Sequence, residues 1–257
     1  MGVINVTPDS FSDGGLYLDA DAAVAHGREL VEQGAAILDV GGESTRPGAD
    51  VVPEDEELRR VVPVIAGLAD SGAEVSVDTS KAAVAAAALE AGASIVNDVT
   101  ALRGDAEMAA VCAERGATVV LMHMLGNPRT MQENPTYGDV VDDVKAFLVE
   151  RVEAAMAAGI EEGRIWVDPG IGFGKTAAHN LELLRRLGEL RELGRPLVVG
   201  TSRKSFIGEV DGSAATERLG GTISSSVWAA AEGADVLRVH DVVEVGQALA
   251  LANAVLG

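Results

Sequence analysis

The sequence predicts a single domain, residues 1–257, that folds as a (β/α)8 barrel. Eight short apolar runs recur along the chain, segments of helical composition separate them, and no linker or low-complexity stretch intervenes. Strands that alternate with helices pair in parallel through right-handed crossovers. Eight such units in 257 residues fit a closed barrel better than an open doubly wound sheet, which is the alternative.

The eight predicted strands are short and rich in Val, Ile or Leu. In chain order they are residues 2–6, 36–40, 74–77, 94–97, 118–122, 165–167, 197–199 and 236–239. The intervening segments are rich in Ala, Glu, Leu and Arg, which favour helix. The clearest predicted helices are residues 19–33, 81–91, 139–158, 181–193 and 243–256.

The composition narrows the possible ligands. A net charge of −20 argues against general affinity for nucleic acid or for an anionic membrane. The chain has only four lysines, and Lys81, Lys175 and Lys204 each follow a predicted strand. Scarce cations at strand ends point to an anionic ligand there, although scattered surface lysines are the simpler alternative.

The sequence also indicates a compartment. The single cysteine, Cys112, excludes a disulfide framework, and we expect a buried thiol there. No apolar run approaches the roughly 20 residues of a membrane span. Residues 2–6 are expected to form a strand and lack the basic leader of a signal peptide. We therefore expect a cytoplasmic protein.

Polar and ionisable residues lie at the carboxyl end of nearly every predicted strand. In a barrel these ends surround one mouth, where the active site lies. The polar and ionisable residues at these ends are Asn5, Asp39, Asp78, Asn97, Asp98, His123, Asp168, Ser202, Arg203, Lys204, Arg238 and His240. Arg238 and His240 are two positions apart on one strand, so both side chains should point to the same side. This pattern predicts a polar site at the mouth of the barrel.

Two loops near the front of the chain, residues 5–15 and 39–48, are dense in Gly, Pro, hydroxyl and charged residues. Such loops are expected to close over a polar ligand. Phe11, Phe173 and Phe206 all fall in predicted mouth loops. A rim of phenylalanines suggests that the ligand has a flat or aromatic part.

Two further loops follow the sixth and seventh strands. Residues 168–176 are glycine-rich, but Pro169 occupies a glycine position that a P-loop requires, so we expect only a flexible loop. Residues 200–205 should open a helix whose amides and two cations suit a carboxylate or phosphate. The sequence contains neither a serine-nucleophile elbow nor a transition-metal ligand spacing. His123 is as compatible with a structural hydrogen bond as with a functional role.

Five motifs, in this order, resemble those of the dihydropteroate synthase family of pterin-binding enzymes. They are Asn-Val-Thr-Pro-Asp-Ser-Phe-Ser-Asp-Gly-Gly from position 5, Asp-Val-Gly-Gly-Glu-Ser-Thr-Arg-Pro-Gly from position 39, Asp-Pro-Gly-Ile-Gly-Phe-Gly-Lys from position 168, Ser-Arg-Lys-Ser from position 202 and Arg-Val-His-Asp from position 238. The resemblance implies a (β/α)8 transferase of folate biosynthesis, usually a homodimer. Such an enzyme joins 6-hydroxymethyl-7,8-dihydropterin pyrophosphate to 4-aminobenzoate, with Mg2+, and releases 7,8-dihydropteroate and pyrophosphate.

The resemblance also implies roles for individual residues, which fall into five sets. The pterin would be bound by Asp78, Asn97, Met122, Asp168, Phe173, Lys204 and Arg238. The aminobenzoate would be bound by Phe11, Thr45, Arg46, Pro47, Phe173 and Ser205. The pyrophosphate would contact Asn5, Arg238 and His240, and Mg2+ would contact Asn5 and Asp9. Catalysis would depend on Asp13, Lys204, Arg238 and His240.

The expected reaction breaks a C–O bond to pyrophosphate. The dihydropterin can spread positive charge, so a dissociative, SN1-like path is expected, with Asp13 near the cation. Sulfonamides, which mimic aminobenzoate, should act as competitive inhibitors. Three alternatives remain: a pterin-binding methyltransferase with a corrinoid partner, an inactive paralogue, and a structural barrel without activity.

Overall fold

The computed structural model describes residues 1–7, 20–44 and 49–256. Parallel strands alternate with helices along the whole described chain. The strands are β1 Gly2–Asn5, β2 Ile37–Gly41, β3 Glu74–Asp78, β4 Ile95–Asp98, β5 Thr118–Met122, β6 Ile165–Asp168, β7 Val198–Val199 and β8 Val236–Leu237. The helices are α1 Ala20–Glu32, α2 Glu54–Leu68, α3 Ala82–Glu90, α4 Met108–Arg115, α5 Val140–Ala157, α6 Ala177–Arg185, α7 Ser205–Asp211, α8 Leu219–Ala231 and α9 Val242–Leu256.

The strands form a closed ring. Strands β1 to β6 pair in sequence order, and β7 pairs with β8. Two parallel bridges join these sheets, one between Val167 and Leu197 and the other between Gly2 and Val239. At the second junction the Val3 amide donates to the Val239 carbonyl at 3.1 Å. The predicted (β/α)8 barrel is therefore confirmed, and the open doubly wound sheet is excluded.

The predicted strands agree with the observed ones to within two residues at each end. One predicted helix is wrong in its bounds. Residues 181–193 are not one helix, because α6 begins at Ala177, where the Thr176 hydroxyl accepts the His179 amide at 3.2 Å. After α6 the chain continues as a 3-10 helix, Leu187–Leu193, and ends at Gly194, whose φ is 63°. The N-cap therefore moves the helix start toward the N-terminus.

The apolar core has three parts, of which the third, Val99, Met122, Met124 and Met131, packs with Phe173. The larger part lies between the strands and the surrounding helices and contains Cys112, which is buried as predicted. The second part fills the lower interior of the barrel and comes from β2 and from β4 to β8. It consists of Ile37, Ile95, Val120 and Val198, with Met1, Trp166 and Val236 packed against them. This inner layer fixes which residue of each strand faces the mouth.

Phe206 was predicted at the rim of the mouth, and this is wrong. It lies in the first turn of α7, is 4% exposed and packs in the larger core. The helix begins at Ser205, so Phe206 faces the barrel wall rather than the ligand side. None of the described helices is long and apolar enough to span a bilayer.

Candidate active site

Strand periodicity builds the candidate site directly above the inner apolar layer. Side chains alternate along a strand, so the residue two positions after an inward-facing one also faces inward. Ile95 is thus followed by Asn97, Val120 by Met122, Trp166 by Asp168 and Val236 by Arg238. The resulting pocket is lined by Asp78, Asn97, Val99, Met122, Asp168, Gly170, Ile171, Phe173, Gly200, Ser202, Lys204, Arg238 and His240.

The pocket brings most of the predicted site together. Eight residues that the resemblance implies line it: Asp78, Asn97, Met122, Asp168, Phe173, Lys204, Arg238 and His240. Asn5 ends β1, and Ser205 is exposed at the first position of α7; neither belongs to the lining among the described residues. The other predicted residues, Asp9, Phe11, Asp13, Thr45, Arg46 and Pro47, lie outside the described residues.

Arg238 is held by two buried carboxylates. Its Nε lies 2.6 Å from Asp39 Oδ2, and one terminal nitrogen lies 2.9 Å from Asp78 Oδ2. The fully buried Asp39 also accepts hydrogen bonds from Ser76 Oγ at 2.6 Å and Asn97 Nδ2 at 3.1 Å. Strand β2 continues to Gly41, so Asp39 lies below the mouth and supports Arg238 from beneath.

The acidic residues of the pocket have raised pKa values. Burial raises the pKa of Asp78 to about 7, although the Arg238 guanidinium opposes the shift. Burial also raises the pKa of Asp168, against a hydrogen bond that the Gly170 amide donates to Asp168 Oδ1 at 2.6 Å. A carboxyl that takes up a proton near neutral pH can both donate and accept hydrogen bonds. The pocket can therefore match a ligand edge on which donors and acceptors alternate.

Lys204 supplies a cation over an aromatic face. Its Nζ lies 4.0 Å from the centroid of the Phe173 ring, a distance within the cation–π range. Burial and then repulsion by Arg238 lower the pKa of Lys204 to about 8, while Asp168 opposes both. Positive charge therefore remains at this wall of the pocket near neutral pH.

His240 forms a second polar pair in the pocket. Burial, with repulsion from Arg238, lowers its pKa to about 4, so the imidazole is neutral. The His240 amide donates to Ser202 Oγ at 3.2 Å, and that hydroxyl lies 2.9 Å from His240 Nδ1. If the hydroxyl donates to Nδ1, the imidazole proton resides on Nε2 as a hydrogen-bond donor.

Three residues predicted at the mouth face elsewhere. His123 follows the inward-facing Met122, and its Nδ1 lies 2.8 Å from Lys175 Nζ, outside the pocket. Asp98 alternates with Asn97 and points away from the interior, where it accepts hydrogen bonds from the Thr100 and Leu102 amides at 2.8 and 2.7 Å. Arg203 is exposed, with a φ of 58°, and its Nε donates to Asp241 Oδ2 at 3.1 Å. The prediction of these three as mouth residues was wrong, because their side chains serve local structure.

Other residues of the site were not predicted from the sequence. Val99 and Ile171 line the pocket, but apolar residues beyond a strand give no distinctive signal. The inward orientation of Asp39 beneath Arg238 follows from the strand period, because Asp39 lies two positions after the inward-facing Ile37. The loop after β6, predicted to be flexible, instead has its carbonyls bound by Gln132, Tyr137 and Lys175.

The described residues contain no group of three or more acidic, histidine or cysteine side chains placed to hold a metal. Asn5 offers one amide oxygen at the end of β1. Magnesium commonly binds through one or two protein oxygens together with substrate phosphates and water. The chemistry of Asn5, with the Asp9 carboxylate that the sequence places nearby, fits such a substrate-completed site.

Comparisons with known proteins agree with this geometry. Residues 1–240 match the family described as pterin binding enzyme. A probable bifunctional folylpolyglutamate synthase/dihydropteroate synthase of Haloferax volcanii is 53% identical over 95% of this chain, which spans only 29% of that longer protein. The dihydropteroate synthase of Escherichia coli strain K12 is 46% identical over 100% of this chain and 91% of its own.

A solved structure gives the same assignment. Dihydropteroate synthase of Xanthomonas albilineans, determined with 4-aminobenzoic acid, superposes with a TM-score of 0.94 at 50% identity. The match covers 100% of this chain and 92% of that one. These relatives carry the synthase name, which sets the methyltransferase alternative aside. The chain belongs to the pterin-binding enzymes and, within them, to the dihydropteroate synthase family of transferases.

Proposed function

We propose that this chain condenses 6-hydroxymethyl-7,8-dihydropterin pyrophosphate with 4-aminobenzoate, giving 7,8-dihydropteroate and pyrophosphate. One observation carries the proposal: a single pocket combines an acid-and-amide wall, Asp78, Asn97 and Asp168, with a cationic wall, Lys204 and Arg238. The first wall suits a pterin edge and the second suits a departing anion.

The pterin is expected to bind deep in the pocket. Its ring presents alternating donors and acceptors, which Asp78, Asn97 and Asp168 can match. Met122, a residue that is 4% exposed, supplies an apolar surface at the same depth. Arg238 is already oriented by Asp39 and Asp78, so it needs little reorganisation to lie against the ring.

Pyrophosphate departure is assisted by positive charge. Arg238 and the neutral His240 can donate to its oxygens, and preorganised donors in a partly dry site stabilise developing charge most effectively. Mg2+, held by Asn5, Asp9 and the substrate's own oxygens, would neutralise part of that charge. We propose a dissociative, SN1-like path in which Asp13 stabilises the pterin cation.

The aminobenzoate is expected beside Phe173 and Lys204, with its carboxylate near Ser205 at the start of α7. The predicted partners Phe11, Thr45, Arg46 and Pro47 would complete this subsite. An aromatic amine is a free nucleophile at neutral pH, so no strong general base is required. Burial keeps His123 and His240 neutral, with pKa values of about 3 and 4, so neither is an acid at pH 7.

Turnover tests the proposal directly. The protein is incubated with the pterin pyrophosphate, 4-aminobenzoate and Mg2+, and pyrophosphate release is followed. We expect Lys204→Ala and Arg238→Ala to lower turnover at least about tenfold, while Lys145→Ala, which removes a surface ion pair with Glu192, retains it. Sulfonamides should compete with 4-aminobenzoate. Absence of release by the wild-type protein would refute the proposal.

We also propose a cytoplasmic homodimer. Large apolar side chains are exposed on neighbouring helices: Leu181 of α6, Trp228 of α8, and Leu251 and Val255 of α9. Helix α8 packs against both α6 and α9, so these side chains share one side of the barrel. A second copy would remove this apolar area from water. Light scattering should give a dimer mass, and Leu251→Glu should shift it toward the monomer.

A further inference from the structure

Lys175 is a buried cation that the proposed reaction does not use. The residue is 3% exposed, whereas the other three lysines of the chain are more accessible. Its Nζ lies 2.9 Å from the Gly170 carbonyl, 3.0 Å from the Phe173 carbonyl and 2.8 Å from His123 Nδ1. Within the described residues no carboxylate lies in ion-pair contact with it. An ammonium has three protons, and three neutral acceptors lie within 3.0 Å of it, while the His123 carbonyl is more distant at 3.5 Å.

Burying this charge is costly. Desolvation lowers the pKa of Lys175 to about 7, with attraction by Asp168 and repulsion by Lys204 as the smaller causes. A methionine would fill a similar volume without that cost. The three hydrogen bonds of Lys175 therefore point to a function that a well-packed apolar side chain could not provide.

Two of these bonds are made to the loop after β6. The glycines at 170, 172 and 174 have φ values of 65°, 83° and 65°, and a Cβ on Gly170 would lie 1.9 Å from the His123 carbonyl. Lys175 bonds the carbonyls at the start and at the end of this turn. Gln132 Nε2 binds the Gly172 carbonyl at 2.9 Å, and Tyr137 Oη binds the Gly174 carbonyl at 2.6 Å.

His123 is suited to accept the third bond. Burial, with Lys175 beside it, lowers the pKa of His123 to about 3, so the ring is neutral. With Lys175 protonated, Nδ1 accepts and the ring proton is on Nε2. The Phe147 ring packs edge-on against the imidazole at 4.9 Å between centroids, which fixes its orientation. The Arg103 guanidinium carbon lies 4.8 Å from the centroid of the Phe147 ring and packs over that ring.

The loop presents Phe173 to the pocket. Lys204 Nζ lies over the Phe173 ring at 4.0 Å, so the position of the ring influences the position of that ammonium. We propose that the Lys175 ammonium, with His123 as its acceptor, is a positioning device that holds Phe173, and through it Lys204, in the geometry the substrates require. This rests on the proposed function, because Phe173 and Lys204 matter only as substrate contacts.

The test compares Lys175→Met with Phe173→Ala and with the double variant. Lys175→Met should raise the KM for 4-aminobenzoate about tenfold, the scale of a misplaced contact. Its melting temperature should change little, because relief of a buried charge is offset by three buried acceptors that lose their donor. In the double variant the Lys175 change should add less than about twofold to the effect of Phe173→Ala, since both act on one ring. Lys145→Met is the matched surface control.

A second pair of variants tests the proposal in case Lys175→Met folds poorly. His123→Leu removes the acceptor and should raise the same KM, whereas His123→Gln retains an acceptor and should raise it less. Wild-type KM in Lys175→Met, full additivity in the double variant, or a KM change that only follows a lowered melting temperature would each overturn the inference. Calorimetric titration with 7,8-dihydropteroate repeats the comparison by binding. If the wild-type protein releases no pyrophosphate, that titration decides the role of Lys175 separately.

Discussion

Replacing Arg238 by methionine should lower the free energy of unfolding by about 3–5 kcal/mol, the cost of leaving a buried charge without its partner. The guanidinium lies between Asp39 at 2.6 Å and Asp78 at 2.9 Å, and the side chain of Asp39 is fully buried. Removing the cation leaves two carboxyl groups facing each other.

The carboxyl groups of Asp39 and Asp78 respond differently to the loss of Arg238, and this difference determines how large the loss in the free energy of unfolding should be. Asp39 retains the Ser76 hydroxyl at 2.6 Å and the Asn97 amide at 3.1 Å, so its charge stays partly satisfied. Asp78 has a pKa of about 7, which Arg238 holds down, so the variant should raise it further and protonate Asp78 at neutral pH. The loss should therefore lie near the lower limit at pH 6 and increase by pH 8.

Urea unfolding of the wild type, Arg238→Met, Asp39→Asn and the double variant measures the effect at both pH values. Neutralising Asp39 removes the orphaned charge, so the double variant should be more stable than the sum of the single losses by about 1–2 kcal/mol. Arg59→Met, which breaks an exposed pair with Glu56, should change stability by less than about 1 kcal/mol. The reasoning fails if Arg238→Met stays within about 1 kcal/mol of wild type, or if the single losses simply add.

The remaining predictions concern stability. In the folded state the pKa of Asp78 is raised from 3.8 to about 7. Between these two pH values the folded state keeps a proton that the unfolded state has lost. The free energy of unfolding should therefore fall by up to about 4 kcal/mol as pH rises from about 4 to 7. Asp78→Asn should remove that slope in urea midpoints, and an unchanged slope would contradict it. Gly170→Ala should cost more than about 3 kcal/mol in thermal unfolding, because the Cβ would meet the His123 carbonyl at 1.9 Å, whereas Gly116→Ala, with open space at φ 60°, should cost about 1 kcal/mol. Asp139→Ala removes the N-cap of α5, whose carboxylate accepts two amides at 2.9 and 3.1 Å, together with an ion pair to Arg186, and should lower the melting temperature without changing turnover; a wild-type melting temperature would refute the cap.

Much of the site follows from strand periodicity, which acts locally. The period of two places Asn97 above Ile95 and Arg238 above Val236, so an inward residue can be read from the strand below it. The same rule separates Asn97 from its neighbour Asp98, which faces outward. The prediction that all strand-end polar residues share one site failed because it ignored this alternation.

The number and order of the strands, and most of the residues that line the pocket, could be predicted from residue order, because hydrophobic runs and the polar residues that follow them are local features. The pairing of those residues depends on the three-dimensional fold. Closure of the ring brings Arg238 against Asp39, 199 positions earlier in the chain, and the pairing of β5 with β6 brings Lys175 against His123, 52 positions earlier. Charge neutralisation and desolvation depend on such distances in space, so neither the support of Arg238 nor the burial of Lys175 could be read from residue order.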